Sequence, residues 1–573
     1  MQQKNNFTNN SIVSNLKILS ISILLIIISS SYNKKSSNVP TSFSQDTVCI
    51  HVISFATPSP SKKGKQVYDT IAHFPTEGEW RKILMVQTLK CDSSTKRDKY
   101  PCGEWDYETS TIVYTSEGNS SEKFRINSFI TPYGKRLNLT DNGWEYIWDV
   151  SDYASILKGD KRIEHGNNQE LHDLKFIFIK GKPSRNVLKV ENIWPQGKYK
   201  YEYLALDSIL KKKKIALIEN AKSFRLKARI SGHGHFGPYN CCEWDEKMHT
   251  YRFSGGEKIN WTVWKDCGHN PIHPQGGTWQ FNRAGWCPGT ATDTYDFEVS
   301  NFVDNDSLSI DYQIEMFDGN GEKKGNFTMS HQLVSYGEFN FKSDAAIIEI
   351  KSPNNALRYR RNVRGNDGTP IINVRNEGTF PIKSIKFQYG IKGGETQHFT
   401  WHGALNSLEE EEIILAPLKM NGLKNRERFY IEIQTVNNSA DEQILNNYAE
   451  SVWDLPVFFP KEIILRVLTN DIGRAQENSY VLIDKNGLLV KERSQFPENT
   501  EFIDTLKLKS GLYTWIIKDE QQDGMIKHWW NRNSNPDKIG RNGNIQFENL
   551  EGEIINSPPF DFADYYSFSF RVK

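Results

Sequence analysis

The sequence predicts an all-β chain built from β-sandwiches and jelly rolls, and three observations carry that expectation. Short runs such as EWRKILMVQTLK, STIVYTSE, HDLKFIFIKG, SFRLKARISGHG, LSIDYQIEMF and AAIIEIKSP alternate apolar and polar residues. Gly, Asn, Asp and Pro separate them, which is the rhythm of strands and turns. Long amphipathic helical patterns are nearly absent. Aromatics reach 12%, with 15 Trp and 24 Tyr. Such side chains suit pleated β-surfaces, and their apolar faces with polar rims also suit stacking on sugar rings. Many short strands with regular turns point to sandwiches or jelly rolls.

The 573 residues allow several domains, and a net charge of +1 gives no electrostatic reason to expect nucleic acid or an anionic membrane as partner. The N-terminal run LKILSISILLIIISSS (Leu16 to Ser31) has lysines on both sides, Lys4 and Lys17 before it and Lys34 and Lys35 after. Its apolar centre is short for a membrane span of about 20 residues. A basic start, a short apolar centre and small residues describe a secretory signal. Residues 1–46 are therefore expected to be a signal peptide and a disordered segment. The protein is then secreted, periplasmic or at the cell surface, without stable membrane insertion.

The cysteines agree with export. Six of the seven fall between Cys91 and Cys287, the other is Cys49, and none follows Cys287. In an exported protein such a cluster reads as disulfides rather than metal ligands or reactive thiols. No zinc-type CxxC pairs occur, and no metal is expected. An odd count leaves one thiol free or bound elsewhere.

Composition shifts after Ile350. Residues 351–457 read as an Ig-like sandwich, with the turn-rich NVRNEGTFP opening a strand pair and RFYIEIQTVNN a late strand. Residues 458–573 read as a further β-sandwich. The loop DEQQDG (Asp519 to Gly524) carries oxygens that suit calcium. One loop supplies too few ligands, so an acidic surface turn is the favoured reading there.

Chemistry concentrates in a repeated motif. CGEWDYE begins at Cys102, and CCEWDEKMHTY begins at Cys241. Read as a strand or its start, CGEWDYE places Glu104 and Asp106 on one face and Trp105 on the other. Two carboxylates about 7 Å apart couple in their titration, and apolar neighbours raise a carboxyl pKa by desolvation. A group tuned this way works as general acid or base near neutral pH. Glu243 and Asp245 repeat the arrangement. Taken singly, each motif is also compatible with solvated carboxylates at a strand end. Cys91 and Cys102 bracket a short loop beside the first motif, and Cys267 and Cys287 bracket HNPIHPQGGTWQFNRAGW, which contains Arg283. A disulfide closing about a dozen residues is worth roughly 3 kcal/mol in the chain-entropy model. Such staples would fix polar, aromatic loops in position, although a plain structural role fits each pair as well. His233 and His235 share one strand face, but two ligands make no metal site, and cleft lining is expected.

CGEWD, SFITPY (Ser128 to Tyr133), ISGHGHFGPY…CCEWDEKMHTY and NRAGWCPG (Asn282 to Gly289) resemble the PNGase F family, bacterial peptide-N4-(N-acetyl-β-glucosaminyl)asparagine amidases. The motifs come in the family's order over about Thr47 to Ile350. The resemblance implies two adjacent eight-stranded antiparallel jelly rolls, residues 47–195 and 196–350, with the active site at their interface. It implies Asp106 as the primary catalytic group and Glu243 as a second. Arg283 would hold substrate or a bridging water. Trp286, Trp244, His235, His233 and Glu104 would line the cleft. Cys91–Cys102 and Cys267–Cys287 are the expected disulfides. A further family glutamate is replaced by Ile179, and His233 stands where the family has tryptophan. Asp245 replaces a family cysteine, which leaves a Cys241–Cys242 bridge or a bond to Cys49 open.

The implied reaction hydrolyses the amide joining the innermost GlcNAc to asparagine in an N-glycoprotein or glycopeptide, with no cofactor and with a monomer expected. Two alternatives belong to other classes. One is a carbohydrate-binding protein that has lost catalysis on the same scaffold, and Ile179 is its best argument. The other is a papain-like thiol amidase, which pairing of the cysteines disfavours.

Overall fold

The computed structural model describes residues 46–57, 66–94, 99–117, 120–167, 170–235, 241–316, 325–362, 367–419 and 422–573. The expected signal peptide lies outside the described residues, apart from Asp46. Among them, no helix is long and apolar enough to cross a membrane.

The chain is all-β, and its N-terminal half forms two jelly rolls. The first contains β1 (Thr47–Ile53), β2 (Gln66–Phe74), β3 (Trp80–Lys90), β4 (Glu108–Glu117), β5 (Ser120–Ile130), β6 (Trp144–Asp149), β7 (Gly159–Asn167) and β8 (Leu171–Lys180). They form two four-stranded sheets, β1-β8-β3-β6 and β2-β7-β4-β5, with antiparallel neighbours. Alternation makes the core. Leu174, Phe176 and Phe178 of β8 point inward with Phe74 and Ile83, while Ile177 and Ile179 bury on the opposite face with Leu84 and Val86.

The second roll contains β9 (Arg185–Asn192), β10 (Gly197–Lys200), β11 (Lys213–Ala216), β12 (Ser223–His233), β13 (Lys247–Phe253), β14 (Lys258–Val263), β15 (Thr294–Glu298), β16 (Ser307–Ile314) and β17 (Asn326–Phe339). Its sheets run β10-β17-β12-β15, with β9 also on β17, and β11-β16-β13-β14. β9 falls in the segment assigned to the first roll by sequence, yet it pairs with β17 of the second. Trp194, Tyr251, Trp261, Tyr312 and Leu333 fill this core.

Two sandwiches follow. In one, a three-stranded sheet (Ala345–Ser352, Ile371–Asn376, Glu410–Ile414) and a four-stranded sheet enclose Phe387, Tyr389 and Trp453. In the other, a five-stranded and a four-stranded sheet enclose Trp515, Phe547 and Phe570.

The rolls are sewn together where SFITPY ends β5. The Ile130 amide donates to the Thr290 carbonyl (3.0 Å), Gly289 to Ile130 (2.9 Å) and Thr292 to Ser128 (2.9 Å). Deeper in the junction, Lys227 pairs with Asp152 at 2.6 Å. Burial alone would raise the Asp152 carboxyl, but Lys227 and Arg225 hold it well below the usual carboxylate range. A cavity of about 680 Å³ opens here, lined by Asp152, Arg225, Lys227, Glu298, Arg375 and Glu377. These charges pair with one another, and the catalytic candidates lie elsewhere.

The last sandwich folds back onto both rolls. Asp561 pairs with Arg136 (3.0 Å), Asp564 with His269 (3.2 Å) and Arg361 (3.1 Å). Ala563 packs with Tyr133 and Trp279 in a small buried cluster.

Candidate active site

Both repeated motifs sit on turns that lead into strands. Glu104 to Asp106 precede β4, which starts at Glu108, and Glu243 to Asp245 precede β13. The strand alternation expected from sequence therefore does not govern them. Gly103, at φ +83°, breaks the extended backbone just before the first motif. Thr131 then holds the turn. Its hydroxyl accepts from the Tyr107 amide (2.9 Å), and its amide donates to the Tyr107 carbonyl (2.9 Å). The second turn hangs on β12 and the Arg283 loop. Cys242 and Glu243 amides donate to the Gly234 carbonyl at 2.7 and 3.0 Å, and the Ala284 amide donates to Glu243 at 3.0 Å. The motif glycines permit these approaches. A Cβ at Gly134 would sit 1.9 Å from the Gly103 carbonyl oxygen, and one at Gly232 would sit 1.8 Å from that of Cys242.

The turns bring Asp106 and Glu243 into one electrostatic neighbourhood. Burial pushes the Asp106 carboxyl up to about 6. Arg283 and a hydrogen bond from Tyr133 work against that rise, and the Glu243 charge adds to it. Arg283 is fully buried. Its Nε donates to Glu243 Oε1 at 3.3 Å, its Nη1 to the Phe281 carbonyl at 2.6 Å, and its Nη2 to Thr278 carbonyl and hydroxyl at 2.8 and 2.9 Å. The guanidinium lies 4.2 Å from the Trp244 ring and 4.9 Å from the Trp286 ring. Thr278 in turn hydrogen-bonds Tyr133, whose hydroxyl burial raises. The chain Arg283–Thr278–Tyr133–Asp106 thus links the second roll's cation to the first roll's carboxyl.

Several expected roles change. Asp245 is not a second carboxylate of the pair: Lys247 Nζ holds it at 2.7 Å. Trp286 is 3% exposed, and its Nε1 donates to the Gly232 carbonyl at 2.7 Å, so it is a floor rather than an open sugar platform. His233 stacks on Trp286, with ring centroids 5.4 Å apart. His235 lies past the end of β12 and is exposed, so the two histidines do not share a strand face. Buried Arg283 cannot lie along a sugar; its reach is through Glu243. Glu104 is partly buried on the same turn as Asp106.

The cysteines pair as Cys91–Cys102, Cys267–Cys287 and the vicinal Cys241–Cys242, and Cys49 is a free, exposed thiol. The first two bonds stand beside Asp106 and around the Arg283 loop. Exposed Cys49 on β1 offers no partnered thiol nucleophile.

Residues 200–334 match the family model described as Peptide-N-glycosidase F, C terminal. Over 254 residues, 42% of this chain and 71% of the relative, the chain is 28% identical to Peptide-N(4)-(N-acetyl-beta-D-glucosaminyl)asparagine amidase F of Elizabethkingia miricola. Both matches make the chain similar to the PNGase F family. The solved structure of PNGase F from Flavobacterium meningosepticum is 24% identical, covers 51% of this chain and 96% of its own, and has a TM-score of 0.43. PNGF-II is 16% identical over 51% of this chain and 66% of its own, with a TM-score of 0.39.

Within this PNGase F-like frame, Ile179 is 1% exposed in an apolar cluster, so no acid is supplied from that position. Another carboxylate stands close to the site. Glu108 lies 3.7 Å from His233, accepts from Arg125 at 3.0 Å and accepts from Thr328 at 2.8 Å. Sequence reasoning passed over it, although it is the last acid of CGEWDYE. Trp105, 54% exposed beside Asp106, is a better open platform than Trp286.

The last sandwich also reaches the site, which sequence gave no reason to expect. Trp530 meets Phe281 edge-on at 5.6 Å, and Phe281 meets Trp244 at 6.5 Å. Phe281 carries the carbonyl that receives Arg283. An aromatic pair is worth about 0.5–1.5 kcal/mol, so Trp530→Ala should lower kcat/KM by roughly 2- to 10-fold while the fold persists. Steady-state kinetics check this, and an unchanged kcat/KM would show that the contact does not support the site.

Proposed function

We propose that this protein is an exported glycoamidase that hydrolyses the amide between the innermost GlcNAc and asparagine of N-glycoproteins or glycopeptides, giving a glycosylamine and aspartate. The similarity to the PNGase F family supports the reaction class, and one observation supports the residue assignment. Asp106 and Glu243, from different jelly rolls, share the neighbourhood of one buried arginine.

The chemistry asks for three things. Water must attack the side-chain carbonyl carbon, the carbonyl oxygen must be stabilised, and the departing sugar-bound nitrogen must receive a proton as the C–N bond breaks. Asp106 is the group placed to take and return that proton. A carboxyl with a value of about 6 is half ionised just below neutrality and protonates readily when needed. Glu243, anchored by Arg283, orients the water or the polar rim of the sugar. Arg283 fixes the Glu243 carboxylate in place through its Nε, which gives the two acids separate roles. Positioning supplies much of the remaining barrier reduction. Trp105 and Trp244 offer faces for the sugar.

Incubation with a denatured N-glycoprotein tests the reading. Mass analysis should show free glycan and aspartate at every former glycan site. Intact glycan with unaltered asparagine would favour a binding protein instead.

A pH dependence follows. If Asp106 acts in its ionised form, kcat/KM should rise tenfold per pH unit below about 6 and level off above it. A flat profile between pH 5 and 7 would remove Asp106 from the rate-controlling proton transfer.

A further inference from the structure

The last sandwich holds a cluster that the glycoamidase reading does not use. Glu477, Asp519 and Asp523 bring one oxygen each within 4.8 Å of one another. Asp519 ends the strand Gly511–Asp519, Glu477 directly precedes the neighbouring strand Asn478–Asp484, and Asp523 lies on the turn that follows Asp519. This is the loop read from sequence as an acidic surface turn, but Asp519 is 5% and Asp523 3% exposed. The partner missing from the single-loop reading is Glu477, 42 residues earlier, which pairing of Asn478 with Asp519 brings alongside.

Three oxygens of the cluster, Glu477 Oε1, Asp519 Oδ2 and Asp523 Oδ1, are buried and accept no hydrogen bond. The other oxygens of the two aspartates are engaged. Asp519 Oδ1 accepts from the Asp523 amide at 3.0 Å, and Asp523 Oδ2 contacts His528 Nε2 at 2.6 Å. Each aspartate is thus fixed by its outer oxygen, with its inner one open. The nearby cation, Arg474, is spent on the carbonyls of Asp471, Ile526 and Ile539 at 3.2, 3.1 and 3.0 Å, and Glu520 adds further negative charge. Leaving buried charged oxygens unpaired is costly. Burial and mutual repulsion accordingly push Asp519 to about 8 and Glu477 to about 7.

We propose that Glu477, Asp519 and Asp523 form a calcium site that locks the last sandwich against the two jelly rolls. The spacing suits a single ion with ligand distances of about 2.4 Å. All-oxygen, carboxylate-rich and irregular, the donor set suits calcium better than magnesium, which demands near-ideal octahedra at about 2.0 Å. Backbone carbonyls and water complete the shell.

The location gives the ion its consequence. The Asp519 amide donates to the Asp564 carbonyl at 2.8 Å, and the Met525 amide to the Phe560 carbonyl at 2.7 Å. Those bonds carry the segment from Phe560 to Asp564, whose Asp561, Ala563 and Asp564 grip Arg136, Tyr133, Trp279 and His269. On the other side, His528 links Asp523 to Trp530, stacked 4.4 Å away, and Trp530 meets Phe281. One ion would order both segments that touch the Arg283 loop.

The test is binding and melting of the full chain, and it does not depend on the glycoamidase reading. After chelation and removal of chelator, calcium chloride titrated by calorimetry should fill one site. The melting temperature should rise by several degrees at ~5 mM calcium, a concentration chosen for extracellular-type affinities. Magnesium should give a much smaller rise. Asp519→Asn and Glu477→Gln should each abolish the calcium-dependent rise. Each removes one of the crowded charges, so the calcium-free variants should melt no lower than the calcium-free parent. No heat and no melting shift in the parent would overturn the site, as would a full calcium shift in Asp519→Asn. An equal response to magnesium would overturn the assignment to calcium.

Discussion

Asp106→Asn should abolish nearly all turnover while leaving glycan affinity near that of the parent and raising stability at alkaline pH. The catalytic loss is expected at ~10²–10⁴-fold, the range for removing a positioned acid–base group. The stability gain follows from the sign of the pKa shift. Asp106 titrates at about 6 in the fold, because burial penalises its charge, against roughly 3.9 in an unfolded chain. The folded state therefore binds the proton more tightly, and ionised Asp106 destabilises the fold. That penalty is absent below pH ~4, grows between about 4 and 6, and is complete above 6, at up to roughly 2–3 kcal/mol. Asparagine carries no such charge. The variant should thus melt higher than the parent at pH 8, with the difference vanishing near pH 4. Kinetics on a glycopeptide, binding by calorimetry and melting at both pH values check this. Near-normal turnover would displace Asp106 from the centre of the mechanism.

Arg283→Lys should be nearly as damaging, although charge is kept. The guanidinium satisfies Glu243, the Phe281 carbonyl and both Thr278 oxygens from one rigid fork while sandwiched by Trp244 and Trp286. A lysine ammonium is a point donor and cannot span those positions. Buried acceptors left unpaired cost about 1–3 kcal/mol each, more for the Glu243 charge. We expect a loss of ~2–4 kcal/mol in stability and at least ~10²-fold in kcat/KM. Denaturant melting and steady-state kinetics measure both. A variant with parental stability and activity would show that Glu243 is oriented by other groups.

The fold was legible because alternation is a local signal. HDLKFIFIKG and SFRLKARISGHG became β8 and β12, and turn residues marked their ends. The site was legible only as residue types. Asp106, Glu243 and Arg283 could be named from the ordered motifs, but their orientation could not, because they lie on turns whose shape is set by distant partners such as Thr131 and Gly234. Strand periodicity mispaired Asp245 with Glu243 for that reason. Tyr133 and Thr278 were hidden for a different one: their roles exist only where SFITPY meets the Cys267–Cys287 loop. Glu477 and Trp530 act across a sheet and a domain contact, and neither carries a pattern in its own neighbourhood.

The most direct measurement is the structure of the Asp106→Asn protein with an N-glycopeptide bound. The GlcNAc–asparagine amide should lie between the two rolls, within about 3 Å of the side chain at position 106, with Glu243 reaching it directly or through one water. A glycan seated elsewhere, with its linkage remote from both turns, would contradict the convergence on which the mechanism rests.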